Sequence, residues 1–564
     1  MEVRVVLVAL ALALCGCGGD SASTTLPAGA NGAAVLNILH YNNSNSALVS
    51  NDDFGGVARF ATVVKRARAA SGDCLLLSGG DNLGAGAQFQ ASLEQGPPFF
   101  EATAMREIGV TASAIGPGEF YYGPDTFARF LAGLEIPFLS SNLDFSREPS
   151  LAGLGLVGRR VVTVGGREVS LIGVTTPRLA FTSTPRGVVV DEQLVARVQA
   201  EVERSGPLVV VLANLTDLVS ARALARQLRG VDLLVSASTT EVLANPGDLL
   251  VPGDQVAGAY PVWENGIPIV LTGANFHYLG HLQLLLDGQG QVLSAVGRPT
   301  RVADARQAEG VPPDPILEQR VETPLRQILA LSATTVVGVT EVALDGLDAD
   351  LLARETNLGD FLADAMLAEG MRLSASHQVA PPQVALLNAG AVNSHAVLPV
   401  GQLTRLDFQQ MLPFASFLVV VPQVSAAQFK ELLENAVSRV EQQDGRFAQI
   451  AGFQFQWDPA GTAQQVDDQG LVVVPGTRVR SLVLTGGTVL VAGGAVVPGA
   501  PSVSVVTLDF AARGGDQYPF RGAAFTALGQ DYQQTARRYL SGVLGGRIGA
   551  GAYPESGLGR IIRL

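Results

Sequence analysis

Between Val35 and about Thr300, short apolar runs alternate with stretches of helical spacing, and this alternation constrains the fold more than any other feature of the chain. Val35–Leu39, Leu75–Leu77, Ala112–Ile115, Val209–Leu212 and Leu233–Val235 are short and uniformly apolar, the pattern of strands buried on both faces. Val57–Ala69, Phe99–Ile108, Asp125–Leu134 and Leu218–Leu228 repeat their apolar residues at helical intervals. Strand and helix in turn predict an α/β sandwich in which helices cover a largely parallel sheet. In such sheets ligands gather in the loops beyond the carboxyl ends of the strands, so those loops carry the functional information.

The character changes at Arg301. A polar stretch broken by Pro312, Pro313 and Pro315 leads into Ile316–Leu331, which has helical periodicity and a kink predicted at Pro324. The expected organisation is a domain over 35–300, a linker with a helix over 301–334, and a second domain over 335–564. With 47 % apolar and only 16 % charged residues the chain has ample material for buried cores. Its net charge of −13 and lack of any basic run exclude nucleic acid as a partner.

At the N-terminus Arg4 precedes the apolar run Val5–Leu14 and then Leu14-Cys15-Gly16-Cys17. This resembles a bacterial lipoprotein signal over 1–16, with cleavage before Cys17 and a lipid on its thiol; a plain secretory peptide cleaved further on is the alternative. Residues 17–34, rich in Gly, Ser, Thr and Ala, then form a flexible tether. The expected location is the cell envelope, periplasmic or surface, held to a membrane through the lipid. Cys74 is the only other cysteine left after such processing; opening an apolar run, it is expected to be a buried, inert thiol.

Four fragments in order, Asn37-Ile38-Leu39-His40-Tyr41-Asn42-Asn43, Leu77-Ser78-Gly79-Gly80-Asp81-Asn82, Ile115-Gly116-Pro117-Gly118-Glu119-Phe120 and Leu171-Ile172-Gly173-Val174-Thr175-Thr176-Pro177, resemble the metallophosphoesterase domain of the bacterial and animal 5′-nucleotidases. The resemblance continues through Arg354-Glu355-Thr356-Asn357-Leu358-Gly359, Asn388-Ala389-Gly390, Leu412-Pro413-Phe414 and Gly445-Arg446-Phe447-Ala448-Gln449, covering nearly all of the mature chain. It implies a four-layer metallophosphoesterase-like sandwich joined by a linker helix to an α/β 5′-nucleotidase C-terminal domain.

Members of that family hydrolyse phosphate esters with two divalent ions about 3.5–4 Å apart, bridged by a carboxylate and completed by His, Asp and Asn donors. Against that pattern the present loops are depleted. Where the family has Asp-x-His this chain has Asn43 and Asn45; Asn-His-Glu has become Pro117-Gly118-Glu119, with Gly118 at the place of the histidine that stabilises the transition state. The aspartate that would orient that histidine is Tyr121. Ser-His corresponds to Ala213-Asn214, and Gly-His-x-His to Ala237-Ser238-Thr239-Thr240, so that Ser238 and Thr240 replace two imidazoles. Asp81 alone keeps a metal-type side chain, at the position of the bridging carboxylate; it is either a residual metal contact or an Asx turn after a strand. Since one carboxylate cannot offset the mutual repulsion of two dications, no dinuclear centre, no metal cofactor and no catalytic residue are expected. The pair His277 and His281, spaced by four, lies in a predicted β-hairpin and not on a helix.

In the C-terminal domain the resemblance implies a nucleotide or nucleoside site built from Arg354 and Asn388, with Phe447 and Tyr518 as two rings enclosing the base. Packed core aromatics are the alternative for the rings, and a local ion pair with Asp350 for Arg354. The family's second arginine is Asn393 here, which weakens recognition of anions more than of neutral nucleosides. Three readings stay open at this stage. The chain is a non-hydrolytic lipoprotein that binds nucleotide or nucleoside, an active phosphoesterase with an atypical metal site, or a structural or interaction lipoprotein whose protein partner the sequence does not name.

Overall fold

The computed structural model describes residues 34–564 apart from 51, 238–240 and 468–469. The signal segment, Cys17, the tether through residue 33, and Ser238 and Thr240 lie outside the described residues.

The N-terminal domain holds two six-stranded sheets. One runs Val292–Arg301, Tyr278–Leu286, Ala34–Tyr41, Cys74–Ser78, Ala112–Ala114, Phe138–Leu139. Its last four strands are parallel and its first two form an antiparallel hairpin that joins onto Ala34–Tyr41. The other runs Val262–Glu264, Ile267–Val270, Leu233–Ala237, Val209–Asn214, Arg167–Thr175, Arg159–Val164, parallel in its inner four strands and antiparallel at both edges. The parallel strands expected in one sheet are thus shared between two.

Alternation along each strand explains the uniformly apolar runs. Leu36, Ile38, Leu75 and Leu77 point into the layer between the sheets, where they meet Leu171, Val210, Leu212 and Leu234. Leu39, Tyr41 and Leu76 point the other way, against Phe60, Val63, Met105 and Ile108 of the helices Val57–Ser71 and Phe100–Ile108. A strand buried on both faces has no polar phase, so period-two patterning disappears. The result is a four-layer αββα sandwich.

The hairpin predicted around Asp287 is present, and it carries His281 at a strand position opposite Leu39, with Nε2 3.2 Å from Ser71 Oγ. His277 precedes that strand. The linker helix begins at Pro315–Leu317, passes through a π turn over Glu318–Glu322 and continues as Thr323–Thr334. Pro324 lacks the N–H an α-helix would use and crowds the preceding turn, and the wider π turn before it accommodates both. Glu322 anchors the linker to the first domain, its Oε1 accepting from the backbone N–H of Ala58 at 2.9 Å.

The C-terminal domain is built on a five-stranded mixed sheet, ordered Ala448–Ala451, Val384–Asn388, Val503–Leu508, Phe417–Val424, Thr526–Asp531, which is covered by the helix Asn357–Ser374. A second five-stranded sheet packs beside it and ends on Ile561–Arg563. Among the described residues no helix is long and apolar enough to cross a membrane.

Candidate functional site

Loops at the carboxyl ends of the parallel strands meet between the two sheets and bring Asn43, Asn45, Asp81, Pro117 and Asn214 to the wall of one cavity of about 460 Å³. These are all five of the described positions at which the family resemblance implies metal ligands. Asn43, Asn45 and Asp81 adopt left-handed backbone (φ 47°, 50° and 54°), a conformation that Asn and Asp side chains tolerate better than most.

Asp81 is buried, and its carboxylate is fully engaged. Oδ1 accepts from the backbone N–H of Gly118 at 2.7 Å, and Oδ2 accepts from the side-chain amides of Asn43 at 2.9 Å and Asn214 at 2.8 Å. Chemistry fixes the orientation of both amides. The Asn214 nitrogen also donates to the Gly79 carbonyl at 3.0 Å, so a rotated side chain would set an oxygen against two acceptors. The Asn43 oxygen in turn accepts from the Asn42 amide at 3.0 Å. Two asparagines at ligand positions therefore offer hydrogens, not lone pairs, to the carboxylate.

Beneath this layer lies Glu119, in the short 3-10 turn Pro117–Phe120. Its carboxylate accepts from the backbone N–H of Asp81, Asn82 and Gly116 and from the Asn82 side chain, at 2.7 to 3.2 Å. Burial and the charge of Asp81 push Glu119 up to about 7, against those four donors, and burial raises Asp81 as well. The sequence names this glutamate only as part of a motif; its place as the hub that ties the Asp81 loop to the following one is a structural finding. Tyr121 lines the cavity, its phenol pushed well up by burial and then by Asp81 and Glu119.

The donor set does not fit two divalent ions. A bridging carboxylate would have to give up three good hydrogen bonds, both amides would have to rotate, and among the described residues no imidazole or second free carboxylate lines the cavity. Among the described residues no group of three or more His, Cys, Asp or Glu side chains is arranged to hold a metal.

The cavity opens between the domains. Asn393, Pro413 and Phe414 of the second domain form its far wall, and a smaller adjoining cavity of about 230 Å³ shares Ala85, Tyr121, Thr182 and Phe414 with it. Phe181, Phe414 and Phe510 give this smaller space three aromatic walls; Asn388, Asp509, Arg513 and Asp516 supply polar ones. Asn388 donates to Asp516 at 2.8 Å, while its side-chain oxygen is buried without a partner. Thr184 bridges the domains by donating to Asp509 at 3.1 Å.

Of the four residues expected to hold a nucleotide, only Asn388 lines this cleft. The aromatic pair requires correction. Phe447 and Tyr518 are both buried in the C-terminal core, Tyr518 packs on Phe520, and its hydroxyl donates to the backbone oxygen of Arg446 at 2.6 Å. A tyrosine that can satisfy its hydroxyl inside the core is free to stay there. Arg354 likewise turns away, donating to Asp350 and Asp345 at 2.7 Å each. The ring that does face the cleft is Phe414, 43 % exposed, whose signal was its place in Leu412-Pro413-Phe414.

Residues 336–522 match the family described as 5′-nucleotidase, C-terminal domain. The 5′-nucleotidase of Homo sapiens is 28 % identical over 464 residues, 76 % of this chain and 76 % of that protein. Snake venom 5′-nucleotidase from Naja atra is 25 % identical over 487 residues, 80 % of this chain and 85 % of its own. Among solved structures, the 5′-nucleotidase precursor from Thermus thermophilus superposes with a TM-score of 0.65 at 26 % identity, covering 94 % of this chain and 99 % of its own. A putative 5′-nucleotidase from Staphylococcus aureus, in complex with alpha-ketoglutarate, superposes with a TM-score of 0.69 at 15 % identity, covering 94 % and 100 %. At that identity it speaks for the fold alone.

Proposed function

Because the chain belongs to the 5′-nucleotidase family, we propose that it is a non-hydrolytic member, which keeps an interdomain cleft for a nucleotide or nucleoside and has lost the dinuclear centre. The observation that carries this reading is the saturation of Asp81 by Gly118, Asn43 and Asn214. In an active member the same carboxylate would face two cations; here neutral N–H dipoles stand on it. Each amide contributes on the order of 1.5–3 kcal/mol to a charged acceptor, and displacing them for a metal must repay that as well as bring two dications together.

The ligand half of the proposal rests on the cleft. Phe181, Phe414 and Phe510 offer flat apolar surface to a heterocycle, and the unpartnered oxygen of Asn388 offers an acceptor to a base or ribose N–H or O–H. The expected lipid on Cys17 would hold the protein to a membrane of the cell envelope, on the periplasmic side or at the surface.

Metal analysis of the purified mature protein, combined with turnover of several phosphate esters in added Mn²⁺, Co²⁺ or Zn²⁺, tests the first half. Far less than one ion per chain and no turnover is the expected result. Two tightly held ions, or turnover that disappears in Asp81→Asn, would overturn it.

A further inference from the structure

A second cavity, of about 270 Å³, lies in the seam between the domains on the other side of Phe414. Its charged and amide lining includes Gln90 and Glu94 of the helix Ala87–Gln95 in the first domain, Arg405 of Arg405–Met411, and Gln534 and Arg537 of Tyr532–Arg538 with Asp531 just before it; Tyr122 adds a hydroxyl that is buried without a partner. Two arginines therefore line one small, partly open cavity. Arg405 pairs with Glu94 across the seam, yet its Nε–H is buried without an acceptor. Arg537 also has a buried Nε–H without an acceptor, and among the described residues it has no ion-pair partner. Asp531, the other carboxylate of the cavity, accepts from the backbone N–H of Gln534 at 2.7 Å; its charge favours that of Arg537, but it forms no ion pair with it.

Guanidinium stays charged at any relevant pH, so two of them half-buried side by side repel each other, and each keeps an Nε–H that the carboxylates Glu94 and Asp531 leave without an acceptor. Burial works against the charge of both arginines; Arg537 adds to the burden on Arg405, while Asp531 partly offsets that on Arg537. Buried donors without partners in a native protein call for an occupant. Water supplies acceptors but no charge; an oxyanion supplies both and matches the planar fork.

We propose that this seam binds a small oxyanion of the phosphate or carboxylate class, clamped between Arg405 and Arg537. The space equals roughly nine waters at about 30 Å³ each, enough for such a group and part of its hydration shell. Binding there ties the first-domain helix Ala87–Gln95 to the two C-terminal-domain helices and stiffens the wall that carries Phe414. Phe414 is shared with the main cleft, but neither arginine lines it or the Asp81 pocket.

Isothermal titration of the mature chain with inorganic phosphate, and separately with malonate, at fixed ionic strength in chloride tests the proposal. One saturable site per chain is expected, with affinity reduced at least tenfold in Arg537→Lys, which keeps the charge and loses the fork, and abolished in Arg537→Gln. Response to phosphate alone or malonate alone identifies which oxyanion geometry the clamp accepts, and either supports it. No saturable binding of either anion by the parent, equal affinity in parent and Arg537→Lys, or loss of binding in Arg178→Gln with Arg537→Lys unaffected would overturn it. The last outcome assigns the anion to the main cleft, where Arg178 lies. Should Arg537→Gln fail to fold, the comparison of parent, Arg537→Lys and Arg178→Gln decides.

Discussion

The side-chain nitrogen of Asn214 stands 2.8 Å from Oδ2 of Asp81 and 3.0 Å from the carbonyl oxygen of Gly79, so the second sheet reaches the first through a hydrogen-bond donor at a place where the family resemblance implies a metal-binding imidazole. One contact thus does two things. It closes the sandwich at the carboxyl ends of the strands, and it consumes a lone pair that a cation would need.

Asn214→Asp inverts that contact. Two carboxylates would then face each other in a buried setting, and they can coexist there only by sharing a proton. Stability is expected to fall by about 3 kcal/mol near pH 8 and by clearly less near pH 5, because the shared proton is lost as pH rises. Chemical denaturation at the two pH values measures this. A loss independent of pH would mean that Asp81 is not the ionised partner described above.

Phe414 and Phe447 separate binding from packing. Phe447→Ala empties a core position and is expected to cost about 3–5 kcal/mol. Phe414→Ala removes a ring that is 43 % exposed, so stability should change little while calorimetric affinity for adenosine or AMP falls several-fold. Retained affinity in Phe414→Ala would remove the aromatic wall from the ligand argument.

That contrast also marks where sequence reasoning stops. The strands were legible because burial on both faces leaves runs such as Leu75-Leu76-Leu77 with no polar residue, but nothing in such a run says that Cys74–Ser78 and Val209–Asn214 belong to different sheets. Convergence of Asn43, Asp81 and Asn214 was legible from ordered motifs. Whether a ring lines a cleft or fills a core depends on neighbours far away in sequence: Tyr518 stays inside because Arg446, 72 residues away, offers its carbonyl. Arg354 pairing with Asp350 needed only a helical turn of four residues, and that local alternative is the one the structure adopts.

Asp232 gives a pH-dependent test away from the site. Burial pushes its carboxyl up to about 6, while its Oδ2 accepts from the backbone N–H of Val209 at 2.8 Å. Because the folded value lies above the unfolded one, both states are protonated in acid. As pH rises from about 4 to about 6 the unfolded chain ionises first, and stability drops. Asn keeps the acceptor without the charge, so Asp232→Asn is expected to raise stability at pH 7 by about 1 kcal/mol, allowing for partial solvent access, and to have no such effect near pH 3.5. Thermal unfolding across that range reads both.

Installing the ligands that the family resemblance implies is obstructed by the backbone itself. A Cβ at Gly118 would lie 2.4 Å from the carbonyl oxygen of Leu83 and 3.0 Å from Oδ1 of Asp81, the carboxylate oxygen that the Gly118 N–H bonds. The position is one where the family resemblance implies a histidine, and Leu83 and Asp81 occupy the space its Cβ would need. Gly118→Ala is expected to lose about 2 kcal/mol through overpacking, measurable by denaturant midpoint. Asn43→Asp, Asn45→His and Asn214→His combined should then restore no phosphatase activity with Mn²⁺, and adding Gly118→His should lower the yield of folded protein instead of rescuing turnover. Recovery of hydrolysis in the fourfold variant would show that the loop accommodates the imidazole at little cost, and that side-chain identity alone sets whether the proposed non-hydrolytic site can work.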